Sequence, residues 1–255
     1  MQDLYRYRDL ILTLVVRDLK VRYRRSAIGF LWTMLQPLLT MAVLAVVFSA
    51  LFRFNIDNYP VYALTGIVFW NFFSQSIVCS MNSLKSHAYI LQKVPVPLTI
   101  FPVTTVISGL INLIFALVPL FGLLLVTQHD IGGALLFLPI AIFIATLFTL
   151  GAGLLLSPLA VFFSDVVELV GVVLTLFFYL TPIFYPKEIV KDHSFFWVVQ
   201  YNPIRSILEV FRDPIYQAEI PPVDHLGMAI VVSLIMILIG SHFFERSSTR
   251  IPFHV

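Results

Sequence analysis

The chain has 255 residues, of which 59% are hydrophobic and only 12% charged, with a formal net charge of +2. A soluble domain carries about 25% charged residues, and here ten of the 30 formal charges crowd into the first 29 residues. That composition excludes a soluble globular domain and describes an integral membrane protein. A single cysteine, Cys79, excludes an internal disulfide and a cysteine-based zinc site, and a charge of +2 gives no footing for nucleic acid.

Residues 2–29 predict a helix lying in the membrane interface. Leu12, Val15, Val16, Leu19 and Tyr23 recur at helical spacing, with Thr13, Arg17, Lys20 and Arg24 beside them. The stripe is expected in the acyl boundary, with the cationic stems reaching the phosphates. Leu14 and Val21 fall off it. The first apolar run, 30–52, has 23 residues. A signal-peptide core has about 7–15, so this run is expected to remain as an anchor.

Crossing a hydrocarbon core of about 30 Å takes roughly 20 apolar residues at about 1.5 Å each. By that measure six transmembrane helices are expected, at 30–52, 61–83, 102–127, 134–163, 166–184 and 226–244, within a single all-α transmembrane domain spanning 1–255. Ser157-Pro158 is a candidate kink near the end of the fourth. An even count puts both termini on one side. Lys and Arg number 11 on the side of the N-terminus, the loop at 84–101, the turn near Asp165 and the tail, against 5 on the other. The positive-inside rule makes both termini cytoplasmic. Asp165 and Glu168, at the start of the fifth helix, are expected to pair with the basic N-terminal segment.

Two further segments do not span. Residues 84–97 predict a short cytoplasmic helix stopped by Pro95 and Pro97. Residues 185–225 form a 41-residue segment expected to hold two short helices re-entering the outer leaflet. One covers His193 to Tyr201. The other is capped by Asn202 with Pro203 at its first turn, buries Ile204, Ile207, Leu208 and Phe211 on one face, and pairs Arg205 with Glu209.

Several chemistries have no footing. No glycine is followed by lysine, so the chain has no phosphate-binding loop of its own. The six histidines are scattered without ligand spacing, and the predicted spans carry almost no mid-bilayer charge for proton coupling. What remains is polar and aromatic. Asn71, Ser74, Gln75, Cys79 and Asn82 form a stripe on the second helix, either gluing helices together or lining an aqueous path. Aromatics gather near the expected outer helix ends, among them Phe48, Phe52, Phe54, Tyr59, Tyr62, Phe69, Trp70, Phe177, Phe178, Tyr179, Phe184 and Tyr185. They constitute either an interfacial belt or a corridor whose ring faces stack on sugars.

Five stretches in order resemble the permeases of type 2 ABC exporters for polysaccharides. They are Arg17 to Trp32 continuing into Gln36-Pro37-Leu38, Gly66 to Phe73, Ile90 to Pro97 with Pro102, Thr181 to Pro186, and Asn202 to Arg212. One departure is visible, because Val96-Pro97-Leu98 stands where the family often has Phe-Pro-Arg. That puts in doubt a basic contact at that point. The resemblance implies a homodimer in the bacterial inner membrane and two copies of a separate cytoplasmic ATPase subunit, which binds the ATP and Mg. This chain would then hold no cofactor and catalyse nothing itself. It implies a lipid-linked glycan on undecaprenyl diphosphate as cargo, as in O-antigen, capsule and teichoic-acid export.

The resemblance also suggests roles. Lys85, His87, Tyr89, Ile90, Leu91 and Lys93 would belong to a coupling helix docked on the ATPase. Arg22, Arg24 and Arg25 would hold the diphosphate at the entrance through forked guanidinium contacts, unless they serve only to orient the chain. Tyr59, Tyr62, Phe69, Trp70, Asn71, Ser74, Gln75, Phe177 and Tyr179 would line the channel, and Trp197, Tyr201, Arg205 and Phe211 would belong to an outer gate. The alternatives are a permease of the same type for a drug or small lipid, a membrane-embedded glycosyl- or acyltransferase, and an ion-coupled flippase.

Overall fold

The computed structural model of the chain describes residues 6–23, 28–51, 56–91, 96–130, 132–186 and 196–251. Among them the secondary structure is helical throughout, with no strand. In chain order the helices are α1 (Arg8–Tyr23), α2 (Trp32–Leu51), α3 (Tyr59–Ser86), α4 (Ala88–Leu91), α5 (Ile100–Val126), α6 (Leu138–Phe162), α7 (Val166–Leu180), α8 (Phe196–Gln200), α9 (Pro203–Arg212) and α10 (Val223–Ser248). A 3-10 turn, Gly133–Phe137, leads into α6, and a π-helical turn, Asp213–Gln217, follows α9.

Among the described residues four segments are long and apolar enough to cross a membrane: Tyr59–Ser86, Ile100–Val126, Gly133–Phe162 and Val223–Ser248. The other two expected spans fall on α2 and α7, which are shorter apolar helices. Pro158 lies inside α6, which continues past it to Phe162.

Helix α3 is the centre of the packing, against α5, α6, α2 and α7, while α10 lies along α6. One core cluster surrounds Phe69, Phe72, Phe73, Phe148 and Phe211; a second, at the α1 end, joins Ile11, Leu14 and Val15 to Leu84, Phe101, Leu154 and Phe244. The α6–α10 interface is the most extensive in the fold. It is that close because Gly151 and Gly240 face each other, and a Cβ on Gly240 would collide with the Gly151 carbonyl oxygen.

Three expectations are corrected. The fifth span ends at Leu180, not at 184, because residues 181–184 leave the helix as a buried irregular turn. Of the helix expected at 84–97, residues 84–86 belong to the end of α3, which runs to Ser86. Among the described residues of that stretch only the four of α4 form a separate helix, and 92–95 lie outside the described residues. Helix α1 packs on α5 with Ile11, Leu14 and Val15 inward, so Leu14 is buried while Leu12 and Val16 are exposed. Apolar residues on both sides of α1 left the periodicity unable to tell the protein-facing side from the other. Asp165 and Glu168 form no ion pair with the described part of the N-terminal segment, Asp165 accepting from Ser164 Oγ, while Arg24, Arg25 and the side chain of Arg22 lie outside the described residues.

Candidate functional site

The polar stripe of α3 sits between two hollows. Asn71, Ser74, Gln75 and Val78 are half-buried, and Cys79 and Asn82 are exposed. On one side a cavity of about 690 Å³ opens between α1, α2, α3 and α5. Along α3 it extends from Val68 to His87, a rise of roughly 28 Å. Its wall carries Gln36 from α2, Asn71, Gln75 and Asn82 from α3, and Asn112 from α5, with Arg17 and Asp18 of α1 at the His87 end. A smaller hollow of about 290 Å³ lies between α3 and α7, bounded by Trp70, Ser74, Thr175, Phe178 and Tyr179.

At the Tyr59 end of α3 the irregular turn at 181–186 is held by side chains. Non-helical backbone inside a helical membrane protein must have its carbonyls satisfied by protein. Arg212 supplies two of those bonds, donating from Nη1 to Pro182 O and from Nη2 to Ile183 O, each 2.8 Å. Its guanidinium lies 3.9 Å from the centre of the Tyr62 ring. The Tyr62 hydroxyl reaches Tyr185 O (2.9 Å) and Pro182 O (3.1 Å), and Tyr59 donates to Phe184 O (3.0 Å). Gly66 makes room for this, since a Cβ there would lie 2.5 Å from Arg212 Nη2 and 2.8 Å from Ile183 O. Asn202 both caps α9 through Ile204 N (3.0 Å) and donates to Thr181 Oγ1 (2.9 Å). Burial, with Tyr62 adding to it, pushes the Tyr185 hydroxyl up to about 12, so it stays protonated and donates to Tyr179 O at 2.8 Å.

Beside this turn, His129 stacks on the Tyr216 ring. Its Nε2 lies 2.6 Å from Tyr216 O, and its Nδ1 lies 2.9 Å from the Asn58 amide. Residues 57, 58, 129 and 216 are thereby tied together, with the Tyr216 hydroxyl donating to Asp57 O at 2.5 Å.

A family model for the ABC-2 type transporter matches residues 9–216. The chain belongs to the ABC-2 type transporter family. It is 31% identical over 247 residues to the O-antigen export system permease protein RfbA of Myxococcus xanthus, covering 96% of this chain and 94% of that one. Two permeases of the same name from Klebsiella pneumoniae are each 27% identical over 243 residues, 95% of this chain and 93% of theirs.

In this ABC-2 chain the residues singled out for the channel divide. Trp70, Asn71, Ser74, Gln75 and Tyr179 border the two hollows, and Phe177 is half-buried on α7. Phe69 does not border them. It is 1% exposed, between Phe73 and Phe211, inside the subunit. Tyr62 and Tyr59 are engaged in holding the 181–186 turn. The expected channel facing of Phe69 and Tyr62 is therefore corrected: side chains enclosed by their own subunit offer no surface to a passing chain. Among the outer-gate residues, Trp197 and Tyr201 are exposed, whereas Phe211 is fully buried. Arg205 is also buried, on Glu209 (2.9 Å) and Gln200 Oε1 (2.6 Å). Helix α9 is a core element, enclosed over Ile204 to Arg212.

At the other end Lys85 and Tyr89 are exposed, and Ile90 packs against the α1 core cluster. Arg24, Arg25, Lys93, and the side chains of Arg22 and Leu91, lie outside the described residues. His87 is buried, contrary to its expected place on a docking surface. It closes α3, donates through Nδ1 to Ser83 O (2.7 Å), and accepts from Arg17 Nη2 through Nε2. Sequence reasoning paired Arg17 with the membrane surface; nothing local in the sequence connects positions 70 residues apart.

Burial holds the His87 pKa below its ordinary 6.5; the hydrogen bond to Ser83 O opposes it in part, and the smaller effects of the Arg17 and Asp18 charges run in opposite directions. The folded protein thus binds fewer protons at this site than the unfolded chain. The stability it contributes is complete above about 6.5 and is lost as pH falls through the lower folded value. We expect the protection of amides in α1 and at the end of α3 from hydrogen exchange, with the intrinsic pH dependence of exchange divided out, to fall between pH 7.5 and pH 5.5. His87→Gln, which cannot titrate, should remove that difference.

Proposed function

We propose that the chain is the channel-forming permease subunit of an ATP-driven exporter. It would move an O-antigen-like polysaccharide linked to undecaprenyl diphosphate across the bacterial inner membrane, as a homodimer joined to two cytoplasmic ATPase subunits. Family membership and the names of the full-length relatives support the class. The observation that carries the route is the half-exposed polar face of α3, flanked by hollows. Carboxamides on a spanning helix are expensive against lipid and acceptable against water or another subunit. Facing α2 and α7 of a second copy across a hydrated gap, that face would offer a corridor with hydroxyls, amides and the rings of Trp70 and Tyr179. A chain too long to be enclosed needs such a path, and ring faces let sugars slide without fixed register.

In this reading α2 and α7 complete six spans, both termini are cytoplasmic, and α8 with α9 stands over the outer mouth. ATP and Mg act on the partner ATPase. The α3–α4 end meets that ATPase, and its exposed residues rather than its buried ones make the contact. Tyr89→Asp with Lys85→Glu should cut ATPase association about tenfold while leaving membrane insertion unchanged, which co-purification reads directly. Ile90→Asp should instead weaken the subunit itself, because Ile90 packs on the α1 core.

The same permease type carrying a small amphiphile is the second reading, favoured by the lateral position of the larger cavity. Reconstitution with the partner ATPase in proteoliposomes separates the two. Lipid-linked polysaccharide should stimulate hydrolysis and appear on the far side. Stimulation by apolar amphiphiles alone would establish the second reading instead.

A further inference from the structure

We propose that the cavity between α1, α2, α3 and α5 is a sugar-binding site inside each subunit. This deepens the export reading and rests on it, since it assigns a holding position for one sugar ring of the cargo beside the corridor, sharing Asn71 and Gln75 of the α3 polar face with it.

The cavity's volume, about 690 Å³, lies within the range of roughly 300–1,000 Å³ typical of small-molecule sites. Its wall brings together five carboxamides from three helices, Gln36, Asn71, Gln75, Asn82 and Asn112, together with the partly exposed indole of Trp32. A carboxamide offers two donors and an acceptor with two lone pairs, so one that already makes a bond, such as Asn82 to Val78 O (2.9 Å), keeps capacity for another. Adjacent sugar hydroxyls need both donors and acceptors, and an indole suits the C–H face of a ring.

Charge narrows the class further. Among the described residues the only charged side chains on the wall, Arg17 and Asp18, sit together at one end, 2.7 Å apart, with Arg17 also bonded to His87. The long middle of the cavity is neutral, which disfavours an ion as its principal occupant. Apolar side chains, among them Val68, Phe72, Leu113 and Ala116, share the wall with the amides, and each amide facing hydrocarbon without a partner would cost free energy, so an occupant with both hydroxyls and apolar faces suits the site better than a bare alkyl chain. Ser76 Oγ, buried in the same wall, has no hydrogen-bond partner among the described residues. A neutral sugar ring, with hydroxyls for the amides and C–H faces for the apolar wall, fits these features.

Cys79 supplies the test, because the sole cysteine lies on this wall. The full-length protein with its ATPase, in nanodiscs free of sugar-headed detergent, would be labelled with a maleimide. Labelling would be repeated with a polyprenyl diphosphate bearing one N-acetylhexosamine, with the same lipid lacking the sugar, and with a free disaccharide. The glycosylated lipid should slow labelling roughly fivefold or more at concentrations well above its Kd, and the bare lipid should not. Protection by the free disaccharide as well would show that a soluble saccharide suffices. Asn82→Leu with Asn112→Leu should abolish protection without changing labelling of the empty protein, and the wild-type comparison stands even if that variant folds poorly. Equal protection by the bare lipid, or protection by none of the probes, would overturn the site. Export measured in cells keeps the two proposals apart: export without protection removes the site alone, and protection without export removes the export reading alone.

Discussion

Replacing Arg212 with leucine is expected to cost about 3–5 kcal/mol of stability and to abolish transport. The substitution leaves the Pro182 and Ile183 carbonyls buried without their donors and removes a cation from the Tyr62 face. Desolvated cation–π contacts are worth about 2 kcal/mol, and bonds to a charged donor about 1.5–3 kcal/mol each. Lysine keeps the charge but has no planar fork to satisfy two carbonyls at once, so Arg212→Lys should fall between the parent and Arg212→Leu. Tyr62→Phe provides the scale. It keeps the ring under the guanidinium and loses only the hydroxyl bonds, for about 1 kcal/mol. Thermal unfolding of the purified protein, followed alongside export, should rank the variants parent, Tyr62→Phe, Arg212→Lys, Arg212→Leu. An Arg212→Leu protein with parental stability would show that the 181–186 turn is held by something other than Arg212.

The second large effect is expected at the α6–α10 crossing. Gly240→Val places a branched side chain where even a Cβ meets the Gly151 carbonyl, and a Cβ on Gly151 would in turn lie 2.5–2.6 Å from the Met236 and Ile237 backbone. Backbone atoms cannot swing aside as a flexible side chain can. Overpacking normally costs about 1–3 kcal/mol, and forcing apart the most extensive helix interface should exceed that range and prevent accumulation of the folded protein. Gly122→Ala is the control. Nothing lies near that glycine, so the exchange should be neutral or stabilising by less than about 1 kcal/mol. Fluorescence-detected size exclusion of the two variants reads the difference.

Features set by local chemistry were legible in the sequence. Asn202-Pro203 announced the start of α9, the i, i+4 pair Arg205–Glu209 forms at 2.9 Å, and the long apolar helices lie where unbroken apolar runs predicted them. What escaped depends on contacts distant in sequence, or on a choice between two apolar surroundings. A membrane helix is apolar toward lipid and toward protein alike, so periodicity could not say that Leu14 turns inward while Leu12 turns out, or that Phe69 is core rather than channel. Arg212 read as one charge in a loop. Its role appears only when the chain folds back 30 residues to the turn after α7. One signal was available, since Thr181-Pro182 marks a helix end within an apolar run and thus implies carbonyls needing an outside donor. The polar stripe of α3 was visible, but Gln36 and Asn112, which join it across the cavity, were isolated polar residues in two other helices.

The central claim, export of a lipid-linked polysaccharide, is tested most directly by deleting the chain in its native cell and following that polysaccharide. Surface polymer, measured on intact cells, should disappear, while lipid-linked chains accumulate on the cytoplasmic face of the inner membrane. The wild-type chain should restore display. Unchanged surface polysaccharide in the deletion strain, with no internal accumulation, would contradict the account.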